Sequence, residues 1–193
     1  MISWVEIVSA VLGLSCVLLA GRNSKYNFWI GYAYNIFLFV LFISQHLYAA
    51  MALQPISLAI NIYGHWHWTH PGEDEQAASD SSRLKVSKLS GKEWYTFAGI
   101  ILAGGICLGA VLSRTQDPSP WLDSYILMFT LLAQYLSARK CLECWIVWLI
   151  VNVANLTLYL TTGLWAMAVV AALYLANGIW SLIGWKKLHD NNE

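Results

Sequence analysis

The chain has 193 residues, 58% of them hydrophobic and 11% charged, with a formal net charge of zero. An ordinary soluble domain carries about 25% charged residues, so a soluble globule is excluded. Zero net charge favours no class of partner, and the partners expected from composition are a lipid bilayer and a small molecule, with no nucleic acid.

Apolar runs of about 20 residues mark bilayer spans, and seven occur in chain order: 2–20, 28–45, 47–68, 94–112, 121–138, 144–161 and 164–185. Backbone groups in a bilayer must be paired within their own segment or barrel, and these runs lack the ten-residue alternation of barrel strands. An all-α integral membrane bundle is predicted. The first run resembles a signal peptide in position, but Arg22 and Lys25 follow it and no basic residue precedes it, so it is read as a helix. The polar stretch between the third and fourth runs contains GEDEQAASDSS; it cannot bury enough apolar surface to fold alone and is expected to be a mobile loop.

Ten of the 11 Lys and Arg residues fall on one side of this topology, and Arg114 stands alone on the other. By the positive-inside rule the N-terminus is expected outside and the C-terminus in the cytoplasm of a bacterial inner membrane. Charged residues fall in connections or at helix ends, Glu6, Asp123, Glu143, Lys186 and Lys187 being marginal. No carboxylate stands at mid-depth for ion coupling, and no Lys for retinal. Without a G-x-x-x-x-G-K-[ST] phosphate cradle, passive movement of a solute is the simplest expectation. No nucleophile–base pair or metal cluster lies at mid-depth, so neither an enzyme nor a cofactor is expected.

Polar residues share faces when projected at 100° per residue. On the sixth run Trp145, Trp148, Asn152, Asn155 and Tyr159 fall within an arc of about 80°. The third offers Gln54, Ser57, Asn61, His65 and Trp68, with Pro55 expected to kink it; the fifth offers Thr130, Gln134 and Ser137; the seventh Tyr174, Asn177 and Ser181; the second Tyr32 and Asn35. Such amides either bond neighbouring helices or line a site. A site of carboxamides and indoles suits an uncharged or cationic heteroaromatic ring, through stacking, cation–π attraction and amide hydrogen bonds. It does not suit a phosphate. His65, His67 and His70 are read as interfacial, Cys141 and Cys144 as a solitary C-x-x-C, and neither as a metal site. Gly105 and Gly109 form a G-x-x-x-G that permits close helix contact.

The second and third runs resemble the sixth and seventh at an offset of 116 to 117 residues, as in Trp29-Ile30 against Trp145-Ile146 and Asn61 against Asn177. The division expected is a three-helix repeat over 1–68, a polar cytoplasmic loop over 69–93, a linker helix over 94–113, and a second three-helix repeat with a cytoplasmic tail over 114–193. Repeats of like orientation place a substrate site between the halves.

LYAAMALQPISLAINIYGHWHW resembles the third-helix signature of the PnuC nicotinamide riboside transporter family. Trp121, Asp123 and Ser124, then Ala138-Arg139-Lys140, then Glu143, Trp145, Trp148 and Asn152 are similar to its second signature. The resemblance implies a SWEET-like 3+1+3 bundle, a homotrimer, and uniport of a vitamin that a cytoplasmic kinase then traps. It also implies substrate contacts at Gln54, Asn61, Tyr63, Trp145, Trp148 and Asn152. Gln134, Asn155 and Asn177 join them from the polar stripes. His65 and Cys144 depart from the family pattern, and the connection between the fourth and fifth runs is short. Nicotinamide riboside is the leading substrate and thiamine the alternative; a seven-helix receptor is a more distant reading.

Overall fold

The computed structural model describes residues 4–44, 48–77, 80–115, 119–161, 163 and 165–191. Among them are seven long helices: α1 (Trp4–Gly21), α2 (Tyr26–Ser44), α3 (Tyr48–Thr69), α4 (Gly91–Leu112), α5 (Pro120–Ala138), α6 (Glu143–Thr161) and α7 (Trp165–Asp190). At 1.5 Å per residue the 19 residues of α2 or α6 cover about 28 Å, close to a hydrocarbon core. Four segments are long and apolar enough by composition to cross a membrane: Tyr26–Ser44, Gly91–Leu112, Glu143–Thr161 and Met167–Asp190. In α3 the mean hydropathy is lowered by Gln54, Asn61, His65 and His67, and that helix runs on through Pro55.

Six helices close a ring. Helix α1 packs on α2 and α7, α2 on α3, α3 on α5, α5 on α6, and α6 on α7. Helix α4 stands outside, against α5. Side chains such as Ile36, Val40, Ile100, Leu102, Val169 and Leu173 are exposed on the outer surface, which a bilayer covers and water would not. A methyl placed on Gly105 or Gly109 would run into the ring of Tyr125 or Trp121 respectively. The G-x-x-x-G pair therefore serves close approach of α4 and α5 within the chain.

The end of the ring that gathers Arg22, Lys25, Arg139, Lys140 and Lys186 is here called the basic end. Its corners are tight. Asn23 and Lys140 adopt positive φ, 58° and 57°, and turn the chain from α1 into α2 and from α5 into α6. Helix α4 starts on a capping box, in which Ser90 Oγ accepts from Glu93 N and a Glu93 oxygen accepts from Ser90 N at 2.9 Å. The other Glu93 oxygen accepts from Arg139 at 2.6 Å, joining the start of α4 to the end of α5.

The connection expected to be mobile is built differently. It holds a 3₁₀ turn over Glu73–Glu75 and an antiparallel hairpin of β1 (Gln76–Ala77) with β2 (Asp80–Leu84). Past the hairpin the chain crosses the basic end as a strap, residues 84–89, with Leu84 and Val86 each only 3% exposed. The acidic, serine-rich half is polar as read, but Leu84 and Val86 alternate with period two and so face one side, a signal the composition of the whole stretch conceals.

Candidate functional site

Inside the ring lies a cavity of about 610 Å³, within the ~300–1,000 Å³ range usual for small-molecule sites. Seven of the sequence-predicted residues line it: Gln54 and Asn61 from α3, Gln134 from α5, and Trp145, Trp148, Asn152 and Asn155 from α6. The α6 stripe faces inward because its five residues recur at three- and four-residue steps on one face.

Two predicted residues lie elsewhere. Tyr63 is on the outer side of α3, 38% exposed, stacked on His67 and Tyr135 with centroids 5.6 and 6.2 Å away. Asn177 is buried between helices, its amide nitrogen donating to Val17 O at 3.4 Å. It ties α7 to α1 as structural glue.

Several lining residues were not on the predicted list. Tyr34 and Asn35 of α2, Cys16 of α1, Tyr159 of α6 and Tyr174 of α7 all face the cavity. Gly31, Tyr34, Asn35 and Leu38 follow an i, i+3, i+4, i+7 pattern that marks the inward face of α2. Pairing Asn35 with Tyr32 obscured it: Tyr32 turns outward and its hydroxyl meets His65 Nδ1 at 2.8 Å.

The amides differ in their hydrogen bonding. Asn35 donates to Gly31 O at 2.8 Å and Asn177 to Val17 O. Among the described residues, none forms a hydrogen bond with the side chains of Asn61, Gln134, Asn152 or Asn155, although all four line the cavity. The buried Trp145 indole N–H also has no protein partner. Asn152 is buried, and Asn61, Gln134 and Asn155 are partly exposed to the cavity, so these amides are open to hydrogen-bond a ligand that enters it. No Asp, Glu, Lys, Arg or His lies among the described lining residues.

The floor at the basic end is aromatic. Phe28 meets Trp68 edge-on at 5.1 Å, and Trp185 meets Trp145 edge-on at 5.4 Å and Trp68 at 5.7 Å. Trp68 donates its indole N–H to Ser137 O and Ala138 O at 3.2 and 3.1 Å. The Lys140 ammonium sits 4.8 Å from the centroid of the Trp68 ring and donates to Leu84 O. The His tract is absorbed by ring contacts: His65 stacks on Phe28 at 5.4 Å and His70 on Trp66 at 5.9 Å. Cys141 and Cys144 are buried free thiols beside this floor, and burial pushes the Cys141 thiol pKa above its ordinary value.

A closed ring of helices thus surrounds an amide-rich chamber, and a model of the family described as nicotinamide mononucleotide transporter matches residues 3–187. The chain belongs to this family. It is 27% identical to the nicotinamide riboside transporter PnuC of Escherichia coli strain K12, over 86% of this chain and 78% of that protein. It is 26% identical to the riboflavin/roseoflavin transporter RibM of Streptomyces davaonensis, over 95% of this chain and 85% of that one. The fold is similar to a crystal structure of the vitamin B3 transporter PnuC, with a TM-score of 0.76, 21% identity, and coverage of 99% of this chain and 84% of that one. As a member of the PnuC family, the chain is a multi-pass membrane transporter of a vitamin-type small molecule.

Proposed function

We propose that the chain carries nicotinamide riboside by uniport through the cavity, from the outside to a cytoplasmic basic end where a kinase traps it by phosphorylation. The observation that carries this reading is the set of four carboxamides that, among the described residues, have no protein partner, on a cavity whose described lining holds no charged side chain. A pyridinium ring is attracted to the face of Trp148 or Trp145, and the unpaired amides complement a carboxamide and ribose hydroxyls. A nucleotide fits this lining poorly: its phosphate would be buried with no cation to pair it, which costs far more than burying a hydroxyl. The substrate is therefore the riboside, although the family is named for the mononucleotide.

The 3+1+3 arrangement is supported by positions 117 residues apart that play like parts in both halves. Asn23 and Lys140 make the two left-handed corners, Phe28 and Trp145 both face the cavity floor, and Asn35 and Asn152 both line the cavity. The peripheral α4 is the linker in this scheme. Its exposed outer face is offered for a homotrimer contact. The cations gathered at one end support a cytoplasmic C-terminus.

The similarity to a riboflavin/roseoflavin transporter favours a second reading, in which a flavin occupies the same cavity by ring stacking. Flux into proteoliposomes tests the choice. Unlabelled riboside inside should accelerate entry of labelled riboside, with no dependence on a proton or sodium gradient. A rate that collapses when the gradient is removed contradicts uniport, and exchange of riboflavin but not riboside selects the second reading.

A further inference from the structure

The cavity and the strap meet at shared residues. Ala20, Phe28 and Trp145 line the cavity, and the same three belong to the buried cluster at the basic end together with Trp68, Trp185, Leu84 and Val86. Leu84 and Val86 therefore lie on the far side of the cavity floor from the chamber, and they come from a connection, not from the ring. The six helices close without the strap, and connecting segments ordinarily run over the surface in contact with water.

The strap is held mainly through its backbone. Ser87 N donates to Lys140 O at 3.1 Å and Leu142 N donates to Ser87 O at 2.9 Å, a short parallel bridge to the corner between α5 and α6. Val86 O lies 2.9 Å from His189 Nδ1 on α7, and Leu84 O accepts from the Lys140 ammonium. The segment is thus pinned to the α5–α6 corner and to α7 by a few hydrogen bonds and by three apolar side chains, Leu84, Val86 and the partly buried Leu89. That attachment involves far fewer residues than the packing between ring helices. Anything leaving the cavity at this end must pass the floor residues and then the strap.

We infer that residues 84–89 form the gate of the transport path at the basic end, with Leu84 and Val86 closing the cavity floor and withdrawing to let substrate through. Lys140 is a positioning residue for this gate. Its left-handed backbone turns α5 into α6, and its ammonium, seated over the Trp68 ring, donates to Leu84 O.

A disulfide tests the need for withdrawal. Ser87 Oγ lies 3.4 Å from the native Cys141 Sγ, so Ser87→Cys places two thiols where a small rotation forms the bond of about 2 Å. In proteoliposomes, oxidation of S87C with diamide should lower riboside flux at least tenfold and dithiothreitol should restore it, with riboside affinity in detergent unchanged and the unmodified protein unaffected. Disulfide-bonded protein that carries substrate at the reduced rate overturns the gate. The flux arm rests on the riboside reading, so a second arm uses no substrate. Cys16 lines the cavity and serves as a native probe, quantified by peptide mapping. A membrane-impermeant maleimide added from the basic side should label Cys16 at least tenfold faster in the Leu84→Ala, Val86→Ala variant than in the unmodified protein. Equal labelling also overturns the proposal.

Discussion

Replacing Asn152 by Ala separates a binding amide from a structural one. Asn152 is 8% exposed, lines the cavity and has no hydrogen bond to a described residue. Its removal therefore takes nothing from the folded protein beyond a few contacts, but it takes one hydrogen bond from a bound ligand. A net hydrogen bond is worth about 0.5–1.5 kcal/mol, so ligand Kd should rise roughly 2- to 12-fold at about 1.4 kcal/mol per decade. Asn177→Ala is the matched control: it is equally buried, but its amide bonds Val17 O across the α1–α7 contact. That change should lower the unfolding midpoint and leave Kd within about twofold. Calorimetry gives both Kd values and a thermal melt in detergent gives both midpoints. The reasoning is refuted if Asn152→Ala leaves Kd unchanged and destabilises the protein as much as Asn177→Ala does.

Other expectations follow from the same contacts. Gly109→Leu should drive α4 away from the Trp121 ring and lower stability by about 1–3 kcal/mol, as overpacking does, read from the melting midpoint. Glu93→Ala removes the carboxylate half of the capping box and the partner of Arg139 and should lower the melting midpoint. Arg139→Met loses the partly exposed ion pair and the guanidinium contact with the Tyr135 ring but leaves the capping box, and should lower the midpoint less. Burial raises the Cys141 thiol pKa in the folded state. The stability this thiol contributes is present below the ordinary thiol pKa, about 8.5, and is lost as pH climbs through the raised value. The unfolding midpoint should therefore fall on the alkaline side, and less so in Cys141→Ala.

The spans, the single-sided cations and the α6 stripe were legible because each is a periodic or compositional signal that a bilayer enforces. Seven helices, the inward face of α6 and the Gln54, Asn61 and Gln134 positions were readable for that reason. The fates of Tyr63 and Asn177 were not, because a family motif fixes a residue in sequence without saying which way it points, and an amide that bonds a neighbouring helix has the same pattern as one that faces a cavity. Asn177 bonds Val17 O away from the cavity lining, whereas Asn152 lines the cavity. Tyr174 stood on the seventh run's polar stripe, but the inward phenol Tyr34 was hidden, since an aromatic residue on a membrane helix can face either lipid or a cavity. The strap escaped notice because two apolar residues in a polar stretch carry little weight until the surface that receives them is known.

The central claim is that the cavity accepts an uncharged or ring-cationic vitamin and rejects its phosphorylated form. Titration calorimetry of the purified protein with nicotinamide riboside and nicotinamide mononucleotide tests it most directly. The account predicts one riboside bound per chain and a mononucleotide affinity lower by at least about 100-fold, since two charge-assisted hydrogen bonds that a phosphate requires, at about 1.5–3 kcal/mol each, are missing. Equal affinity for the two, or tighter binding of the mononucleotide, would contradict it.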